Sequence, residues 1–263
     1  MSVVGSPSGE APRMNIDINC DMGESFGAWT MGADAEVMPN ITSANVACGA
    51  HAGDPTVMRR TIRNAKTHRV AIGAHPGFAD LQGFGRRELK ADPAEIEDSL
   101  IAQIGALAAI ARAEGVAVRH VKAHGALYNM AARDRTLADA IARAIRAFDA
   151  ELIMFGLPNS PMIDAGRAVG LKVAAEGFAD RAYEPDGSLT PRSRPGAVVH
   201  DPALVVDRAI RMVRDAVVLT VAGAAIPMKI DTICVHGDTP GAPELTRRIR
   251  AGLEAAGIDV RSL

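Results

Sequence analysis

A chain of 263 residues is long enough for one large domain or two small ones, and its 48% hydrophobic and 23% charged residues are ordinary for a soluble globular protein. A formal net charge of -2 gives no electrostatic case for nucleic acid or an anionic membrane, and no apolar run approaches the roughly 18–20 residues of a membrane span. Cys20, Cys48 and Cys234 are widely spaced, with no CxxC and no disulfide framework, which points to a reducing, cytoplasmic setting.

Residues 1–13 are rich in Gly, Ser and Pro and lack the apolar core of a signal peptide, so a mobile tail is expected there. Residues 14–263 show no linker and no second composition regime, so they are expected to form one domain. The first strand, Asp17-Ile18-Asn19-Cys20, runs into the glycine-broken turn Asp21-Met22-Gly23-Glu24. Strand side chains alternate, so Asp17, Asn19 and Asp21 share one face while Ile16, Ile18 and Cys20 share the other. Residues 26–40 read as a loop with little regular structure. A second buried strand spans 41–48, and Asp54-Pro55 then caps a helix running to 68. A third strand, 70–75, ends at Pro76-Gly77 and opens a long glycine-rich loop carrying Arg86 and Arg87. Asp92-Pro93 caps a helix over 94–114 whose Ile96, Leu100, Ile104 and Leu107 form an apolar stripe.

A fourth strand is expected over 118–124, a helix over 136–148, a fifth strand over 152–157 and a short helix over 162–169. A sixth strand, 172–178, leads into a loop to 200 that holds Arg181, Tyr183, Arg192 and Arg194. Asp201-Pro202 opens a helix expected to reach 221, the last clear strand spans 232–236, and a helix follows over 243–256. Strands alternate with helices throughout, with no hairpin signal, which is the pattern of parallel βα units. About seven units point to a single-domain α/β barrel of TIM type with one strand missing or irregular; an open doubly wound sheet is the competing architecture.

In a parallel barrel the working residues sit at the C-terminal ends of the strands. Those ends carry Asp17, Asn19, Asp21 and Glu24; Asn45 and His51; His75; His120, Lys122 and His124; Glu176 and Asp180; His236 and Asp238. Any one could be a structural polar residue, but the same ending on several strands argues for a shared site. His120, Lys122 and His124 lie on one face of their strand, the two rings about 13 Å apart along it, so they do not share a metal and His120 sits deeper. Buried Lys122 needs a partner among Asp17, Asp21 and Glu176. Arg86, Arg181, Arg192 and Arg194 are either solvated charges or clamps for an anion, and Cys48 and Cys234 read as core. A calcium loop is excluded at the first strand, because Met22 and Ala28 stand where an EF-hand needs Gly and Glu. There is no HExxH and no Walker A motif, and no metal is assigned.

The strand-end motifs resemble the LamB/YcsF family, also known as the A component of 5-oxoprolinase. The resemblance rests on Asp17-Ile18-Asn19-Cys20-Asp21-Met22-Gly23-Glu24, on Asn45 to Asp54, on Gly73-Ala74-His75-Pro76-Gly77, on Val121 to Asn129, on Glu176 to Tyr183 and on Cys234-Val235-His236-Gly237-Asp238. It covers the chain from about Met14 onward; Ala123 stands where proline is usual in the family. It implies a barrel of the glycoside hydrolase/deacetylase type. It further implies ATP-dependent opening of 5-oxo-L-proline to L-glutamate, with ATP as cofactor and 5-oxoprolinase subunits B and C as partners; a homo-oligomer is compatible. The chemistry so implied assigns Asp21, or else Asp17, as the base for water. His75 and His124 would orient water or protonate the ring nitrogen, and Lys122 would face the oxyanion or phosphate. Asn19, Glu24, Asn45, His51, Glu176 and His236 would line the substrate, and Arg181 would hold an anion. The alternatives are a metal-dependent amide or acetyl hydrolase, with Asp17 or Asp21 joining His75 and His124 on the ion, and a lactam-binding protein without chemistry of its own.

Overall fold

Strand β1 (Asn15–Met22) realises the alternation read from its sequence: Ile16, Ile18, Cys20 and Met22 are fully buried among apolar neighbours, while Asp17, Asn19 and Asp21 bond to side chains of other strands. The computed structural model describes residues 14–191, 194–237 and 241–263, so the expected tail, Arg192 and Asp238 lie outside it. After β1 come α1 (Asp34–Val37), a 3-10 turn (Met38–Asn40), β2 (Ser43–Ala47), α2 (Pro55–His68) and β3 (Ala71–His75). Next are α3 (Pro93–Ala113), β4 (Val118–Val121), α4 (Gly125–Ala131), α5 (Arg135–Phe148), β5 (Ile153–Gly156), α6 (Pro161–Ala168) and β6 (Lys172–Phe178). The chain ends with α7 (Pro202–Arg214), β7 (Val217–Leu219), β8 (Ala225–Pro227), β9 (Thr232–Val235), α8 (Ala242–Ala255) and β10 (Asp259–Val260).

The parallel strands run in the order β1-β2-β3-β4-β5-β6-β9, and β9 pairs back onto β1 through Asp17↔Thr232 to Cys20↔Val235. This is the expected TIM-type barrel, closed with seven strands. Below that closure, β10 pairs with the start of β1 at Asn15↔Asp259 and Ile16↔Val260. The helices begin where aspartate–proline pairs predict. Asp54 accepts from the amides of Thr56 and Val57, Asp92 forms a capping box with Glu95, and Asp201 caps α7. Among the described residues no helix is long and apolar enough to cross a membrane.

Besides the added strand β10, the elements depart from the sequence reading in four places. The helix expected to reach 221 stops at Arg214, and β7 and β8 form an antiparallel hairpin where no hairpin was expected. The run Val217-Val218-Leu219-Thr220-Val221 favours strand, and Gly223, at φ +81°, turns it back. Residues 26–40, expected to be loop, contain α1 and the 3-10 turn. The helix α4 was not foreseen, because it is one short element opening on Gly125 directly after a strand end. Strand β4 stops at Val121, not at 124, yet the Lys122 and His124 amides still donate to Ala74 of the neighbouring β3 and to Pro76 just beyond it, so both side chains keep the inward parity.

Candidate active site at the C-terminal mouth of the barrel

Barrel interiors of this kind are usually filled by branched apolar residues. Here the interior is a stack of hydrogen-bonded polar layers. At the deepest, Asp17 is fully buried and accepts from Thr42 Oγ1 (2.6 Å), Ser43 Oγ (2.7 Å) and Thr232 Oγ1 (2.5 Å). Burial pushes its carboxyl up, and the three hydroxyls pull it back in part. Asp17, the second candidate for the base, is thus a fully buried tie between β1, β2 and β9 in the deepest layer.

The next layer joins Asn19, Asn45 and His120. Asn19 Nδ2 donates to Thr232 Oγ1 (2.8 Å), and Asn45 Nδ2 donates to Asn19 Oδ1 (2.7 Å) and Asp21 Oδ1 (2.9 Å). His120 Nε2 lies 2.8 Å from Asn45 Oδ1, and its ring stacks on Phe155 at 4.3 Å between centroids. A Cβ on Gly73 would stand 2.1 Å from that ring, so only glycine leaves room for it. Burial and the nearby Lys122 charge push His120 down to about 3. It is a neutral core histidine, as its depth in the strand foretold.

Lys122 is the hub of the upper layer. Its Nζ lies 2.9 Å from Asp21 Oδ1, 2.8 Å from Glu176 Oε1, 3.3 Å from Asn19 Oδ1 and 3.1 Å from Cys234 Sγ. Burial alone would push the ammonium down, but Asp21 and Glu176 outweigh it and hold the group well above its ordinary value. Burial likewise pushes Asp21 up, but His75 and Lys122 outweigh it and keep that carboxyl well below the usual range. Asp21 is 22% exposed at its side chain against 0% for Glu176, so it is the anion that faces the mouth.

Beside Asp21 stand Glu24, His51, His75 and His124. His75 Nε2 lies 3.4 Å from Asp21 Oδ2 and 3.0 Å from His124 Nδ1. Glu24 Oε1 is 3.4 Å from His124 Nδ1 and 3.7 Å from His51 Nε2. The turn carrying Glu24 is fixed from α1, where Asp34 accepts from the Gly23 amide (2.8 Å). His51 and His124 stack at 3.7 Å, with the Phe84 ring edge-on to both. Close approach of the loops depends on Gly85, where a Cβ would fall 2.9 Å from both His51 and His124. In these four residues the structure supplies a donor set able to hold a metal ion, and the carboxylate in it is Glu24, not Asp17 or Asp21.

His236 and Asp180 form a second unit on the rim, with Nδ1 2.7 Å from Asp180 Oδ2. They line a cavity of about 210 Å³ with Cys234, His200 and Arg248. Arg181, expected to hold an anion, is turned into its own loop and donates to the carbonyls of Thr190 (2.7 Å) and Ala197 (3.4 Å). Arg86 lies over the Phe84 ring, and Arg194 pairs with Glu184. Cys48 and Cys234 are buried thiols, as expected, burial pushing Cys48 up to about 12 and Cys234 well above its ordinary value. Thr42, Ser43 and Thr232 were missed in the sequence, although strand parity places Ser43 and Thr232 on the inner face. The Phe84 carbonyl, 2.8 Å from His124 Nε2, had no signal at all.

The family model described as LamB/YcsF family matches residues 16–263. A protein from Chloroflexus aggregans, named as the A subunit of 5-oxoprolinase, is 57% identical over 249 residues, covering 95% of this chain and 99% of that protein. One of the same name from Symbiobacterium thermophilum is 54% identical, covering 95% of each. The crystal structure of a lactam utilization protein from Thermus thermophilus superposes with a TM-score of 0.91 at 47% identity, covering 95% of this chain and 100% of that one.

Proposed function

The chain belongs to the LamB/YcsF family, and on that premise we propose that it is the A component of an ATP-dependent 5-oxoprolinase, opening the lactam of 5-oxo-L-proline to L-glutamate together with subunits B and C. The observation that carries the chemistry is Asp21. It is an anion at the mouth, pinned by Lys122 and Asn45 through one oxygen, with the other facing His75.

An unstrained lactam is a poor electrophile, and ATP overcomes this by phosphorylating the carbonyl oxygen. Asp21 takes a proton from water as the water oxygen bonds to the phosphorylated carbon and the carbon–nitrogen π pair moves to nitrogen, and Lys122 faces the negative phosphoryl oxygens. The new hydroxyl then gives up its proton as its C=O forms, the carbon–nitrogen bond breaks, and the nitrogen leaves with the bonding pair and gains a proton. His236, oriented by Asp180, is the donor. A second water releases phosphate from the acyl phosphate and completes glutamate.

The test is glutamate and ADP formation from 5-oxo-L-proline and ATP, with this chain alone and with subunits B and C. Coupled release in the full mixture is expected, and its absence with verified, folded partners would sink the reading. Within that mixture, Asp21→Asn should lower turnover about 10²–10⁴-fold while the protein stays folded. Near-normal turnover would remove Asp21 from the role of base.

A further inference from the structure

The four-residue group beside Asp21 is not used by the reaction just described, and its hydrogen bonding is one-sided. His75 Nδ1 lies 2.8 Å from the Lys122 carbonyl, and His124 Nε2 lies 2.8 Å from the Phe84 carbonyl. A carbonyl only accepts, so both of these nitrogens carry their ring's proton. When the rings are neutral their lone pairs are on His75 Nε2 and His124 Nδ1, which face each other at 3.0 Å with Glu24 Oε1 3.4 Å from the latter. Two lone pairs and a carboxylate at such distances repel unless a metal ion or a shared proton lies among them. His51 is buried beside them, and neither of its ring nitrogens has a hydrogen-bond partner among the described residues.

We propose that Glu24, His51, His75 and His124 form a binding site for one divalent transition-metal ion of the zinc class. Each offers one ligand atom, and these atoms all lie within 4.8 Å of one another. Imidazole with a carboxylate suits zinc and its first-row neighbours, whereas magnesium and calcium demand oxygen. The two carbonyl partners are what metal-ligating histidines ordinarily have on their second nitrogen, where they fix the tautomer. Phe84 reaches its position only in the left-handed region, at φ +54°, a strained conformation for a side chain of this size. That strain aims its carbonyl at His124.

The site is independent of the lactam reading, and its test needs neither lactam nor ATP. The purified chain is stripped with chelator and titrated with Zn²⁺ by calorimetry, and with Co²⁺ by visible absorption. One ion per chain and a Co²⁺ ligand-field band are expected. His51→Ala and Glu24→Gln should each weaken Zn²⁺ binding by about 10–100-fold or more, while His68→Ala, an exposed histidine on α2, leaves it unchanged. Glu24→Gln keeps the side chain's shape, so it decides the matter if His51→Ala fails to fold. Binding well below one ion per chain, or equal affinity in wild type and Glu24→Gln, would overturn the proposal and leave a shared proton between His75 and His124.

Discussion

Lys122 answers for two carboxylates at once, and the three charges stand or fall together. Replacing it by Met leaves Glu176, which is 0% exposed, as a buried charge with its neutralising partner gone. Breaking a buried pair in this way costs about 3–5 kcal/mol, so Lys122→Met should lower the urea midpoint sharply. Adding Glu176→Gln should recover part of the loss; no recovery would mean that packing, not charge, is responsible. Gly73→Ala should cost about 1–3 kcal/mol by the same measurement, because the new methyl meets the His120 ring. At this scale strand parity made much of the candidate site readable: Asp21, Lys122 and Glu176 follow from period-two alternation, and His236 from its place at a strand end. Parity could not show that Glu24 and His51 join His75 and His124. Those two come from turns whose paths are set by Gly85, Phe84 and Asp34, and a turn's path leaves no periodic mark. Nor could it show that Arg181 turns inward, since a loop arginine reads the same whether it braces carbonyls or grips a ligand.

The helices tell a similar story of local chemistry. Asp54 caps α2 and also accepts from the Gly27 amide (2.8 Å), so Asp54→Ala should destabilise by about 1 kcal/mol in thermal or urea unfolding. On the exposed face of that helix, Arg63 and Arg59 hold the Glu114 carboxyl down to about 2 from an ordinary 4.5, tying α2 to the end of α3. The folded value lies below the unfolded one, so this contribution is present above about pH 4.5 and is lost as pH falls through about 2. Glu114→Gln should therefore flatten the stability–pH curve between those limits, and a wild-type-to-variant difference constant across the window would refute the assignment. The aspartate–proline caps were legible because capping is a two-residue signal. The end of α7 was not: an apolar run after a helix can extend it or begin a strand, and here β-branched residues with Gly223 made the hairpin.

Seven βα units were countable because each repeats the same strand–helix alternation, and the closed barrel follows from that count. The added strand β10 is only Asp259 and Val260, too short to carry any pattern. It nevertheless places the last strand of the chain against the first. β1 pairs with β9 along Asp17 to Cys20 and with β10 at Asn15 and Ile16. Thr232, which bonds to both Asp17 and Asn19, follows them by 215 and 213 residues, and contacts of such sequence separation form slowly. During synthesis, Ile16 and Ile18 wait on an open edge, with Asp17 and Asn19 lacking Thr232, until the final units emerge. The chain therefore completes its barrel only after β9 has been synthesised, and a product that stops short of β9 keeps a sticky edge that invites aggregation rather than a smaller working barrel.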